Sequence, residues 1–306
     1  MIDIPRILCP VDFSDTSRHA LHHAAALATW YESTLSLLYV HPVAGVTAGA
    51  PGLPLMPGVV LTEVDRQAMR GSLLDFARAE IGDAPAVTCD VIEGRAAPEI
   101  VDAAGTQAAS LIVIGTHGRS GFERLAIGSV TEKVLRTASC PVLSVPPRAA
   151  DRIPAPARLF QRVLCAIDFS PCAAQALTYA ASLAQEAGGR LTVLHVVELL
   201  PEEPFDLSTG VAFETFRSCL AAVRADARAR LEASVSPSVR DVCSVATIVA
   251  EGKPYREILR VAADGQHDVA VLGVHSRNPL DLFFFGSTAQ HVVRRAACPV
   301  LTVRAS

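Results

Sequence analysis

The chain contains two near copies of one sequence, and this repetition limits its fold more than any other feature. Residues 6–28 (RILCPVDFSDTSRHALHHAAALA) return as residues 162–184 (RVLCAIDFSPCAAQALTYAASLA), identical at twelve of twenty-three positions. Residues 128–145 (GSVTEKVLRTASCPVLSV) return as 286–303 (GSTAQHVVRRAACPVLTV). Glu93-Gly94 pairs with Glu251-Gly252, and Gly115 with Gly273, so the offset runs from 156 to 158 residues. A repeat this long is no solenoid unit, because each copy can bury a core of its own. It predicts a duplicated domain: residues 1–147 and 159–306, with 148–158 between them. The intervening PPRAADRIPAPAR is rich in Pro and Ala and reads as a linker.

Composition narrows the class. Half of the 306 residues are hydrophobic but only 5% aromatic, so the core must be built from Ala, Val, Leu and Ile. That suits a parallel sheet covered by Ala-rich helices. A net charge of −4, with no basic run interleaved with aromatics, argues against a nucleic-acid partner. No apolar run reaches the length of a membrane span, and the N-terminus shows no signal-peptide pattern, so the expected location is cytoplasmic. Eight cysteines form no CxxC pair. Cys9, Cys140, Cys165 and Cys298 lie in apolar runs and read as reduced, buried thiols, while Cys172 and Cys219 are the candidates for a surface thiol.

Within the first copy, RILCPVDF reads as a buried strand ending in Asp12, followed by a helix capped by Ser14 or Asp15. TLSLLYVH (34–41) reads as a second strand. The Gly- and Pro-rich segment 42–60 reads as a long loop or flap. A helix over about 62–82, opened by Thr62, then precedes strand, helix and strand through 110–115. A further helix from Ser129 and the strand CPVLSV close the copy. The second copy repeats the pattern, with strands over 162–168, 190–197, 242–250, 268–273 and 299–303. Strand and helix alternate throughout, as in a doubly wound α/β sheet.

Ligands of such sheets bind beyond the carboxyl ends of the strands, where strand order reverses. Asp12 ends the first strand, and the fourth runs into GTHGRSGFERLAIGS, with Gly115, Gly118, Gly128 and Ser129 spaced G-x2-G-x9-G-S. Glycines admit close backbone approach, and a helix starting at Ser129 offers its positive end to an anion. These features together point to a phosphate-bearing ligand.

The glycine–serine spacing, Asp12 and the closing CPVLSV strand resemble the universal stress protein family. The resemblance covers both copies. It implies two tandem domains, each an open five-stranded parallel sheet of order 3-2-1-4-5 with helices on both faces. It further implies ATP, with Mg accompanying it, as the ligand. Last-strand pairing, within the chain or with another chain, would give a pseudo-dimeric monomer or a homodimer. Carried over by position, Asp12 with Pro10 and Val11 would meet the adenosine end, and Val40 would meet adenine through its backbone. Gly115 and Gly118 would admit the nucleotide, and Gly128, Ser129 and Val130 would hold phosphates. Arg119 and Arg124 either neutralise phosphate charge or are solvated loop arginines; the plain alternative for Asp12 is a helix cap or turn residue.

The second copy keeps Asp168, Gly273, Gly286, Ser287 and Thr288, but Ser276 replaces the middle glycine and RNPLDLFFF fills the insert. Pro279 removes a donor, Asp281 adds negative charge and Phe283–Phe285 add bulk, so weaker binding is expected there. His19, His22 and His23 lack a third metal ligand and read as solvated or capping residues. His117 and His275 recur in the two loops without a carboxylate partner. With no catalytic motif visible, no catalytic residue and no protein-held metal is expected. The function that follows is ATP binding with a regulatory or protective role in stress response. The alternatives are a slow ATPase or self-phosphorylating protein, and a scaffold for an apolar, lipid-like ligand.

Overall fold

The structure, a computed structural model, describes residues 2–43, 61–83, 85–118, 127–147, 159–198, 210–274 and 285–304, without the side chains of 210–217. The expected linker, most of the 42–60 flap, Arg119, Arg124, His275, Ser276, Pro279, Asp281, Phe283 and Phe284 lie outside the described residues. The described residues form two compact units. The first spans those from Asp3 to Leu159, and the second those from Phe160 onward together with Ile2. Ile2 joins the second unit by donating its N–H to Ser182 Oγ at 2.7 Å.

In the first unit the elements are β1 (Arg6–Pro10), α1 (Asp15–Tyr31), β2 (Thr34–Pro42), α2 (Glu63–Ile81), β3 (Val87–Gly94), α3 (Ala96–Thr106), β4 (Leu111–Gly115), α4 (Ser129–Thr137) and β5 (Val142–Val145). All ladders are parallel: β1 pairs with β2 and β4, β2 with β3, and β4 with β5. The strand order is therefore 3-2-1-4-5. Leu8, Ile112 and Val113 in the central strands are fully buried, and Ala20, Ala24 and Leu27 of α1 pack down onto the sheet. Alanines let the helix approach closely where bulkier residues would hold it off.

Local chemistry sets the helix starts. Ser14 caps α1 by accepting from Ser17 N, and Thr62 forms a capping box with Asp65 at the start of α2. The bonds from Thr62 hold the Asp65 carboxyl below the usual carboxylate range. The expected strand end at Asp12 is two residues too long. β1 stops at Pro10, and the chain turns through Phe13 at φ 63°. A left-handed phenylalanine is costly, and its ring is held 5.3 Å from both Tyr39 and Phe76.

The second unit repeats the order with β6 (Arg162–Ala166), α5 (Pro171–Glu186), β7 (Arg190–Val197), α6 (Gly210–Ser234), α7 (Pro237–Val242), β8 (Ser244–Glu251), α8 (Pro254–Asp264), β9 (Val269–Val274), α9 (Ser287–Arg295) and β10 (Val300–Arg304). Its parallel ladders join β6 to β7 and β9, β7 to β8, and β9 to β10. Phe169 sits at φ 62°, matching Phe13. One element has no counterpart in the first unit. The long second helix breaks after Ser234 and restarts as α7 at Pro237. A proline there has no N–H to donate, and its ring would clash with the preceding turn.

Two expectations need correction. Cys172 is buried, 6% exposed, because the first turn of α5 abuts β9; Cys219 is exposed as expected. His23 is neither solvated nor a cap. It lies in the buried stripe of α1 at 4% exposure, its Nδ1 2.9 Å from the His19 carbonyl, and burial pushes its pKa down. His22 contacts Glu80 at 3.3 Å. Among the described residues no cluster could hold a metal ion, and no helix is long and apolar enough to cross a membrane.

Candidate functional site

The strand order reverses between β1 and β4, and the loops leaving their carboxyl ends frame a cavity of about 150 Å³. Its walls include Pro10, Val11, Asp12, Val40, Gly115, Gly118, Gly128, Ser129 and Val130. Nine of the ten residues expected for the first site thus line one space, and the tenth, Arg119, lies outside the described residues.

Each is held there for a local reason. Val11 is fixed by its N–H bonding the Leu38 carbonyl at 2.9 Å. Asp12 uses one carboxylate oxygen to close its turn, accepting from Ser14 N at 3.0 Å and Ser14 Oγ at 2.5 Å. The other, Oδ2, lies 2.9 Å from where a Cβ on Gly118 would stand. Asp12 thus both closes its turn and lines the cavity.

The glycines differ in what they permit. A Cβ on Gly115 would lie 2.8 Å from the backbone of Thr16, so that glycine lets the start of α1 press onto β4. Gly273 does the same in the second unit, where a Cβ would come within 2.5 Å of Cys172 and Ala173 backbone. This pair is a packing requirement shared by both copies. Gly118 answers to Asp12 instead. Gly128 is the N-cap of α4, and among the described residues no side chain caps that helix. Thr131 Oγ1 donates to the Gly115 carbonyl at 2.7 Å. Helix starts leave their first N–H groups without intrahelical partners, and a side-chain cap contributes about 1 kcal/mol. The first turn of α4 thus presents amides that no side chain caps among the described residues, with the positive end of the helix dipole, beside the cavity.

Several lining residues escaped the sequence reading: Ser17, Leu38, Ala96, Ile100, Ile114 and Thr131. Comparing the copies residue by residue would have found the hydroxyls. Thr16, Ser17, Thr116 and Thr131 stand where the second copy has Cys172, Ala173, Val274 and Ala289. Thr16 Oγ1 donates to the His117 carbonyl, Thr116 Oγ1 lies 2.9 Å from His117 Nδ1, and Gly128 N bonds the Thr116 carbonyl at 2.8 Å. These bonds tie both ends of the loop after β4 together. His117 also lines the cavity; its Nε2 is buried with no hydrogen-bond partner among the described residues, and burial lowers its pKa.

In the second unit, Asp168 is exposed and closes its turn onto Ser170 N at 3.1 Å. Gly286 is the N-cap of α9, again without a side-chain cap, and Ser287 and Thr288 form the first turn. The residues that distinguish the two loops, from His275 to Phe284, lie outside the described residues. Phe285 is described and buried, at 4% exposure.

The universal stress protein family model matches residues 4–146 and again 159–304. A universal stress protein of Mycolicibacterium smegmatis is 28% identical over 303 residues, covering 97% of this chain and 96% of its own. One from Methanocaldococcus jannaschii is 33% identical over 141 residues, 46% of this chain and 81% of its own. Among solved structures, a universal stress protein from Archaeoglobus fulgidus aligns over 98% of this chain and 96% of its own, with TM-score 0.65 and 22% identity.

Proposed function

Because the chain belongs to the universal stress protein family, we propose that it is an ATP-binding member with a regulatory or protective role in the stress response, and that its first unit holds the nucleotide. The observation that carries this reading is the glycine-started helix α4, capped by no described side chain, beside a cavity that Asp12 and Gly118 share. A space of about 150 Å³ fits a single ring system, comparable with an engineered cavity that takes benzene. The base would sit there, among Val11, Leu38, Val40 and Ile100. Asp12 Oδ2 would accept from the ribose hydroxyls. The phosphates would run outward onto the amides of Ser129 and Val130, where the dipole and the first-turn donors favour anions.

The donor set fits Mg only as a companion of the phosphates, since Asp12 is the single carboxylate among the described lining residues. The ion would supply charge neutralisation along the phosphate chain. Arg119 would act on the same charge from the loop. In the second unit, Asp168, Gly273, Gly286, Ser287 and Thr288 would form the weaker site, since the hydroxyls around the first loop are missing there.

Titration calorimetry of the full chain with MgATP tests the proposal. It expects saturable binding that Asp12→Ala removes, and heat no different from buffer at millimolar nucleotide would overturn it. Hydrolysis is the second reading, favoured by one observation: His117 lines the cavity with an Nε2 that has no partner among the described residues. Turnover of labelled ATP above the spontaneous rate, lost in His117→Gln, would establish that reading, and no turnover would remove it.

A further inference from the structure

The second unit carries a second, larger cavity, about 560 Å³, between α5 and the broken helix α6–α7, one end of which reaches the turn that leaves β6. Its floor is apolar, from Ile167, Leu177, Val235 and Val239, and its walls carry Ser182, Gln185 and Ser234. None of its described lining residues is charged.

The first unit shows what fills the equivalent groove when it is closed. There α2 packs along α1, and the Phe76 ring lies 5.3 Å from Phe13 with the Arg18 guanidinium 5.9 Å above it. Glu80 holds that guanidinium, meeting Arg18 Nε at 2.9 Å, and contacts His22 at 3.3 Å. The copies align without ambiguity here. Arg66 pairs with Glu93 as Arg224 pairs with Glu251, and Leu73 and Leu231 are both fully buried. In that register Phe76 becomes Ser234, Glu80 becomes Ser238, Arg18 becomes Ala174 and His22 becomes Thr178.

Four large side chains have thus been replaced by four small ones on an otherwise shared frame. Pro237 then ends α6 early, so that backbone does not collapse into the space. Random loss of one large core residue leaves a void that destabilises the fold. Here both facing helices are cut back together, and the remaining polar groups are neutral hydroxyls and an amide. The aromatic anchor at one end persists: Phe169 stacks under Arg230 at 4.1 Å and beside His195 at 4.4 Å.

We propose that this groove binds an uncharged small molecule with an aromatic or alicyclic body and a hydroxyl or carbonyl group. The body would take the place that Phe76 occupies in the first unit, and its polar group would meet Ser182, Gln185 or Ser234. The volume lies within the ordinary range for small-molecule sites, roughly 300–1,000 Å³. The absence of charge from the lining selects against anions, because a buried carboxylate or phosphate there would lose its hydration without gaining a partner. The site is separate from the proposed nucleotide cavity and does not depend on it.

The probe is the neutral naphthyl ketone dye prodan, added to the full-length chain. The expected result is saturable, blue-shifted emission that excess MgATP does not displace. Ser234→Phe and Thr178→Trp refill the groove from opposite walls. Each should weaken the dye at least about tenfold, the loss of roughly 1.4 kcal/mol. Neither should lower the melting temperature, because each adds bulk to an open space. Four results would overturn the proposal: no saturable signal, equal affinity in both variants, equal binding of an anionic naphthalene sulfonate, or displacement by MgATP. A change in sedimenting mass caused by the same variants would also overturn it, since the groove would then be an interface between copies.

Discussion

Gly115, which ends β4, and Gly118, in the loop that follows, are three residues apart, yet alanine at each should have a different consequence. At Gly115 the new Cβ would stand 2.8 Å from the Thr16 carbonyl carbon and oxygen, more than half an ångström inside ordinary contact. Neither obstacle can rotate away, so α1 must lift from β4. Overpacking of that kind costs about 1–3 kcal/mol. For a domain of this size that is a fall in melting temperature of roughly 3–10 °C. At Gly118 the Cβ meets, among the described residues, Asp12 Oδ2 at 2.9 Å, the far end of a side chain. The carboxylate can be pushed aside at little cost to the fold, but it then leaves the cavity. A hydrogen bond to a charged group contributes about 1.5–3 kcal/mol, so nucleotide affinity should fall roughly ten- to hundredfold. Scanning calorimetry and ATP titration on both variants separate the effects. Gly115→Ala should move the melting temperature, while Gly118→Ala should move affinity with a much smaller thermal shift. If Gly115→Ala melts like the parent, or Gly118→Ala binds like it, the division of roles is wrong.

Three further outcomes follow from buried groups. Thr131→Val keeps the shape but removes the 2.7 Å bond to the Gly115 carbonyl, and should cost about 1–3 kcal/mol in urea unfolding; no change would refute the role given to that hydroxyl. Burial raises the Asp268 carboxyl to about 6, so the folded state holds its proton more tightly than the unfolded chain. The penalty of charging it grows as pH rises from about 4 through 6. Asp268→Asn should therefore stabilise the protein at pH 8 and make no difference at pH 4; a pH-independent effect would contradict this. His23 has the opposite sign. Its pKa is lowered, so acidification below about 6.5 protonates the unfolded chain first and should erode stability, less so in His23→Gln. Finally, Cys219 should react rapidly with a thiol reagent in the native state. Cys9, whose thiol is pushed up to about 12, and Cys165 should react only on unfolding, so fast labelling that persists in Cys219→Ser would count against it.

The fold was legible because strand and helix write different periods into an alanine- and valine-rich chain, and because the repeat states each element twice. Thr62 announced its helix by placing an acid three residues on, and the structure shows both bonds of the box. The lining of the candidate cavity was legible in its glycines and Asp12, since backbone approach leaves a residue type behind. What the sequence did not reveal is a second reason for Gly115, its packing against α1. Sequence cannot show that a missing Cβ faces a helix backbone from a hundred residues upstream. The burial of Cys172 and His23 was equally hidden, because both depend on which side of a helix meets the sheet. The lining hydroxyls of Ser17 and Thr131 resemble ordinary helix residues until they are set against Ala173 and Ala289. The groove beside α5 could be inferred only after the Arg66 and Arg224 ion pairs fixed the register between copies. Pro237 was the visible sign of it, a proline where the first copy continues its helix.

The central claim is that one unit of a duplicated pair holds the nucleotide, with the base between β2 and α3 of the first copy. Photolabelling the full chain with azido-ATP, followed by peptide mapping, tests it most directly. The account predicts ATP-protectable label on peptides containing Val40 or Ile100. Protectable label on the equivalent peptides around Val196 and Ile258, in equal or greater yield, would contradict it.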